Sequence, residues 1–191
     1  PKRWKNFKFF KGDLANIQDC KKVLTNNIKI VLHQAARGSI PRSTLDPIQT
    51  NKDNVTAFLN LIKLSKDKKI KSFVYASSSS VYGDNKDLPK IENKIGNVLS
   101  NYALTKKIKE DYSKLFFQLY NFKTIGLRYF NVFGKRQDPN GDYAAVIPKW
   151  VDKTISKKII SIFGDGKTSR DFTPVSNVVQ ANILAAVNKL P

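Results

Sequence analysis

Short apolar runs alternating with longer amphipathic segments constrain this chain more than any other feature. IKIVLHQAA (28–36) and IKSFVYA (70–76) are nearly continuous in apolar residues. Runs of that length suit strands covered on both faces, as in a parallel sheet. FKFFKGDL (7–14) predicts an earlier strand ending in a turn, and KTIGLRYFNVFG (123–134) a later one. Between them, residues 16–26 predict a helix with Ile17, Val23 and Leu24 turned inward. Residues 50–66 set Val55, Phe58, Leu59 and Ile62 on one helical face. Further helices are predicted over 101–120, 144–157 and 175–189. Strands alternating with crossover helices give an α/β fold, a doubly wound parallel sheet.

Composition narrows the function classes. A chain of 191 residues, 41% hydrophobic and 11% aromatic, has a globular core rather than a disordered character. No apolar stretch approaches the roughly 18 residues a membrane span needs, and PKRWKNF is no signal peptide, so no membrane partner is expected. Cys20 is the one cysteine and has no internal disulfide partner. It reads as inert, in a chain expected to be cytoplasmic. No Cys/His cluster is present for a metal. The net charge of +19 comes mostly from lysine, concentrated in helix-like stretches such as IKLSKDKKIK and LTKKIKED. That pattern reads as a solvated surface, and no nucleic acid is expected as a partner. With no methionine in the sequence, the chain is expected to be an internal piece of a longer product.

In open α/β sheets ligands bind at the carboxyl ends of the strands. The unusual residues fall there: Gly12-Asp13, His33 to Ala36, Ser77 to Ser80, and Arg128 to Asn131. SSSSVYG (77–83) ends a buried run in consecutive hydroxyls, each of which needs a partner if buried. Tyr102 and Lys106 are four apart, on one face of a helix. An ammonium beside a phenol favours the phenolate, lowering a reference pKa of about 10. Such a tyrosine can take a proton from a substrate hydroxyl, and a strand-end serine can bond the same oxygen. Y-x-x-x-K alone is a weak signal; a serine run followed by YALTK opening a helix is far more specific. His33, the one histidine, reads as a structural strand-end residue.

GDL (12–14), HQAA (33–36), Asn54, SSSSVYG, YALTK (102–106), LRYFNVFG (127–134) and SRDF (169–172) together resemble the extended short-chain dehydrogenase/reductases, in their nucleotide-sugar epimerase branch. GSIPRS (38–43), residues 128–150 and FGDGKTSRDF (163–172) are most similar to UDP-N-acetylglucosamine 4-epimerases. The resemblance implies a Rossmann-like sheet over 1–140, part of a UDP-sugar-binding domain over 141–171, and a helix over 172–191 returning to the sheet. It implies NAD as cofactor and C4 epimerisation of a UDP-sugar through a transient 4-keto intermediate. Tyr102 would be the base, Lys106 would tune it and hold the nicotinamide ribose, and Ser78 would bond the sugar O4. Ser79, Ser80, Gly38 and Ser39 would border the sugar. Asp13, Leu14, Ala35, Ala36 and Asn54 would contact NAD, while Asn131, Ala145, Val146 and Arg170 would hold the UDP portion. A homodimer through the helices containing Phe58–Leu64 and Tyr102–Tyr120 is also implied.

The family's Gly-rich turn for the cofactor diphosphate does not occur in this chain, and the resemblance ends before the whole substrate domain. The fragment alone is therefore expected to be inactive. UDP-glucuronate and UDP-glucose 4-epimerases, and a non-catalytic nucleotide-sugar-binding relic, are the alternatives.

Overall fold

The computed structural model describes residues 4–140, 145–162 and 164–187. The outer ends of the helices predicted over 144–157 and 175–189, and the first residues of the expected 141–171 unit, lie outside the described residues.

Three parallel strands form the main sheet: β1 (Ile30–His33), β2 (Ser72–Ala76) and β3 (Ile125–Leu127), in that order. His33 lies opposite Tyr75, and Tyr75 opposite Gly126, so the carboxyl ends of the strands are level. Phe73 and Tyr75 face one side and pack with Phe58, Ile62, Phe116, Cys20 and Leu24. That side is covered by α1 (Ile17–Val23), α4 (Ala57–Asp67) and α5 (Asn101–Tyr120). Val74, fully buried, faces the other way, where α7 (Val175–Val187) lies across β1 and β2. A small second sheet pairs β4 (Asn131–Phe133) with β5 (Phe172–Pro174), also in parallel, and α6 (Val146–Ile155) falls between them in the chain.

Local chemistry sets the boundaries. The Ser100 side chain accepts from the Ala103 amide and starts α5; Asn121, left-handed at φ 51°, ends it. After β1 come α2 (Ile40–Leu45) and α3 (Pro47–Asn51), capped by Ser39 and Asp46. A π-helical turn, Lys52–Thr56, then runs directly into α4.

Three sequence expectations are corrected. Residues 7–14 form no strand: no strand lies beside them among the described residues, and Phe9 is 76% exposed. The predicted strand over 123–134 divides into β3 and β4. Leu127 and Tyr129 carbonyls accept from Ser77 and Ser79, whereas the Asn131 amide donates to Asp171, so the chain leaves one sheet for the other. Lys106 and Lys109 are not surface lysines, being 2% and 0% exposed. Cys20 fits its reading: it is buried, and its thiol donates to the Leu14 carbonyl.

Lys109 lies inside the core without an ion pair among the described residues. Its Nζ is 3.4 Å from His33 Nε2 and 5.5 Å from the Phe58 ring centroid. Burial, with the charge of Lys106 behind it, pushes Lys109 down to about 6. Burial and then the two lysines push His33 down to about 3. At neutral pH both groups are thus neutral and satisfy one another. An unfolded lysine titrates near 10.5. Between about 6 and that value the unfolded chain holds a proton that the folded chain lacks, so stability rises with pH across the window and is lowest below it. Lys109→Met removes this rise. Urea midpoints measured at the two ends of the window should differ by clearly less in the variant, and an unchanged difference would show that Lys109 is not the titrating group.

Candidate active site

The level strand ends open onto a cleft of about 310 Å³. β1 and the loop after it supply Gln34, Ala36 and Gly38; the end of β2 supplies Ala76, Ser77 and Ser78; α5 supplies Tyr102 and Lys106. Tyr129, Phe130 and Val132 close the remaining side. The helix enters this cleft because its first turn is tied down: the Tyr102 amide donates to Ser43 Oγ at 3.1 Å, and Asn101 donates to the Ser43 carbonyl.

The serine run is a chain of hydroxyls. Ser80 donates to Ser78 Oγ from its amide at 3.2 Å and from its hydroxyl at 2.9 Å. Ser78 lines the cleft beside the Tyr102 phenol, where its hydroxyl favours the ionised form of the phenol. The tight return of SSSSVYG needs its glycine: Gly83 has φ 59°, and a Cβ there would come 2.0 Å from the Asn97 carbonyl oxygen. Burial pushes the Tyr102 phenol up, and the Ser78 hydroxyl opposes it. The expected lowering by Lys106 is not what the geometry gives. Lys106 Nζ donates to the Ala76 carbonyl at 2.9 Å and lies 5.6 Å from the phenol ring centroid. Burial pushes that amine down to about 8.

Of the residues singled out from the sequence, Ala36, Gly38, Ser78, Tyr102 and Lys106 come together here. Ser39 stands at the rim as the α2 cap with φ 94°, a strained value for a side chain other than glycine. Ser79 and Ser80 form the short helical turn beside the cleft. Ala35 is exposed between Gln34 and Ala36. Asp13 and Leu14 lie at the α1 entry, where Asp13 accepts from the Ala15 amide and the Leu14 carbonyl accepts from Asn60. Asn131 is bound through its side chain to the Asp171 carbonyl. Ala145 and Val146 start α6, and Arg170 is exposed with one guanidinium nitrogen on the Ser169 carbonyl. None of these last six is in the cleft wall.

Sequence reasoning placed Gln34 and Tyr129 among the strand-end residues and gave neither a role. Both are in the quoted HQAA and LRYFNVFG motifs, so their strand-end position was the available signal. Tyr129 donates to Gln34 at 2.9 Å, and the buried Asn182 of α7 bonds both. A larger hollow of about 630 Å³ lies along β3 and α7 and shares Tyr129 and Phe130 with the cleft. Only the smaller one holds the serine, tyrosine and lysine together.

The sequence model of the NAD-dependent epimerase/dehydratase family matches residues 1–190. The chain belongs to that family. A UDP-glucuronate 4-epimerase of Thermodesulfobacterium geofontis is 36% identical over 183 residues, covering 95% of this chain and 55% of that protein. Among solved structures, the UDP-N-acetylglucosamine 4-epimerase of Methanobrevibacter ruminantium, in complex with UDP-N-acetylmuramic acid, superposes with a TM-score of 0.93. It is 40% identical, covering 97% of this chain and 59% of the other. The UDP-glucose 4-epimerase of Thermotoga maritima, with UDP-glucose, gives a TM-score of 0.90 at 32% identity, covering 95% of this chain and 59% of the other. This chain thus spans between 55% and 59% of the length of these relatives. The parallel sheet with helices on both faces is the Rossmann-like fold of these neighbours.

NAD is the cofactor the family's name carries, and the cleft suits it. Ala36 and Gly38 leave backbone open at the strand end, with nothing within 4 Å of a Cβ built on Gly38, and Lys106 offers the donors a ribose needs. Asn54, expected to touch the cofactor, is instead fully buried behind this wall. Its amide accepts from the Arg37 N–H at 2.6 Å and donates to the Arg37 carbonyl and to Thr105 Oγ1. It therefore ties the loop after β1 to α5. Asn54→Ala leaves those groups unpaired and should cost about 1–3 kcal/mol in urea unfolding. A loss below a few tenths would mean that water replaces the amide.

Proposed function

We propose that the whole protein catalyses NAD-dependent C4 epimerisation of a UDP-sugar, with UDP-GlcNAc and UDP-GalNAc as the substrate pair, in the cytoplasm. The observation that supports this most is the joining of Ser78, Tyr102 and Lys106 in one cleft at level strand ends. The acetamido pair is favoured by the GSIPRS, RYFNVFG and SRDF stretches and by the 40% identity to a UDP-N-acetylglucosamine 4-epimerase. UDP-glucose and UDP-glucuronate are the competing substrates, since relatives of both names align over nearly all of the chain.

NAD, when bound, would supply the reversible hydride acceptor for the sugar carbon. The chain's own residues handle the proton and the orientation. Tyr102 takes the proton from the C4 hydroxyl, and the Ser78 hydroxyl bonds the same oxygen. The Ser80 bonds fix Ser78 in the direction of the phenol. Lys106, anchored on the Ala76 carbonyl beside the Tyr102 ring, is the residue we assign to the nicotinamide ribose. Arg170, exposed near β5, is the residue we assign to the UDP diphosphate, with Asn131, Ala145 and Val146 around the nucleotide. We assign residues 141–171 to the UDP-sugar side of the protein, and Asp13, Leu14 and Ala35 to the NAD side.

Tyr102→Phe in the full-length protein should lower kcat by at least a hundredfold and leave UDP binding by calorimetry near the wild-type value. Retained epimerase activity would sink the mechanism.

A homodimer belongs to the same reading. Leu104, Leu115 and Leu119 are 45%, 43% and 61% exposed along α5, and Leu45 and Ile48 stand out beside them on α2 and α3. The α4 residues Phe58, Leu61, Ile62 and Leu64 are buried in the protein's own core and do not contribute. Leu115→Glu should convert the full-length dimer to monomer in sedimentation velocity, and an unaltered dimer would move the interface elsewhere.

A further inference from the structure

Tyr102, Lys106 and Glu110 follow one another at four-residue steps on α5 and so share a face. That face meets consecutive residues at the end of β2. Tyr102 stands beside Ser78 in the cleft, Lys106 Nζ donates to the Ala76 carbonyl, and Glu110 accepts from the Ser77 hydroxyl. A carboxylate four residues after a lysine on a helix ordinarily pairs with it. These two head groups, moreover, bind neighbouring residues of one strand end. No ion pair joins them, and burial alone acts on the Lys106 amine.

Arg128 explains why. Its Nε donates to Glu110 Oε1 at 2.9 Å and its Nη2 to Oε2 at 2.7 Å, a two-pronged bond that fills both oxygens. The guanidinium is itself held from two further sides. Nη1 donates to the Glu92 carbonyl at 2.9 Å, and the group stacks 4.8 Å from the Tyr82 ring centroid. The side chains of Arg128 and Glu110 are only 15% and 19% exposed, so water screens the pair little. The pair also leaves almost no net charge beside the buried Tyr75 phenol, where the two partners act in opposite directions.

We propose that Arg128 is a positioning residue that captures the Glu110 carboxylate and so keeps Lys106 unpaired, with its amine available to the Tyr102 side of the cleft. Without Arg128, Glu110 turns to Lys106, draws the amine along the helix and neutralises its charge. The charged or titratable groups around Lys106 are then Glu110 and Lys109 on α5, Tyr102 in the cleft, and His33 on β1. Lys109 and His33 are neutral at the pH of interest and do not substitute for Arg128. The consequence for turnover rests on the function proposed above; the electrostatic claim does not.

The test is the titration of Lys106 in full-length protein carrying isotope-labelled lysine, its resonance assigned by Lys106→Arg. Wild-type Lys106 should titrate at about 8. Arg128→Met should move that midpoint up by about one pH unit or more, the effect of an opposite charge at contact distance. Arg128→Met combined with Glu110→Gln should bring it back to the wild-type value. A folded Arg128→Met protein with an unmoved midpoint overturns the proposal, as does a midpoint that stays raised in the double variant. Should Arg128→Met fail to fold, Glu110→Gln alone decides: an unmoved midpoint agrees with capture, whereas a midpoint that falls by about one pH unit shows that Glu110 already acts on Lys106 in the wild type and overturns the proposal. No substrate enters these titrations. Loss of the epimerase reading leaves their result standing, and their failure leaves that reading untouched.

Discussion

The seating of α5 against the carboxyl end of β2 is the contact on which the cleft depends. Ser77 and Ala76 each take a partner from one helical face, Ser78 stands beside Tyr102 of that face, and the Tyr102 amide and Asn101 side chain lock the first turn to Ser43. A shift of one residue along the helix would turn that face by about 100° and break every one of these bonds. Asn54 and Thr105 brace the same helix from the side of the β1 loop. The cleft is therefore defined by hydrogen bonds whose partners are on rigid elements, which is what holding a proton acceptor in register requires.

Burial of charge is the second theme. α5 carries a lysine to the cleft wall at Lys106 and another into the core at Lys109, and neither is paired with a carboxylate among the described residues. In low dielectric such groups give up their protons rather than remain as bare cations. Lys109 and His33 reach that state together, as a neutral hydrogen-bonded pair against Phe58. Lys106 sits closer to its charged form, on a backbone carbonyl. The acidic residue that could have quenched it is occupied by Arg128. The ionic state of this helix is set by which side chains face one another across the sheet, and hardly at all by the composition of the segment.

The serine run makes sense in the same terms. Buried hydroxyls are costly without partners, and the buried Ser77 hydroxyl donates to Glu110, while Ser80 donates to Ser78 beside the Tyr102 phenol. Backbone bonds from Ser77 and Ser79 to Leu127 and Tyr129 carry β3 past its last assigned residue and bring Tyr129 and Phe130 to the cleft.

The sequence by itself determined the strand–helix alternation, the limits of α5 and the grouping of Ser78, Tyr102 and Lys106. Those features are written in local signals: apolar runs of strand length, a Ser100 cap, an asparagine able to turn left-handed, and a four-residue spacing. Only the tertiary structure decided the rest. FKFF has strand character, but a strand needs a neighbour, and none lies beside it among the described residues. KTIGLRYFNVFG reads as one strand, yet its second half bonds Asp171 and belongs to another sheet. Asn54 looked like a cofactor contact and is an internal strut; Lys109 looked like a surface charge and is a core amine. Arg128 lay in a strand-end motif and Glu110 in none, and nothing local joined the two. Each of these outcomes depends on partners far away in the chain, and periodicity reports which face a residue takes without saying what stands opposite.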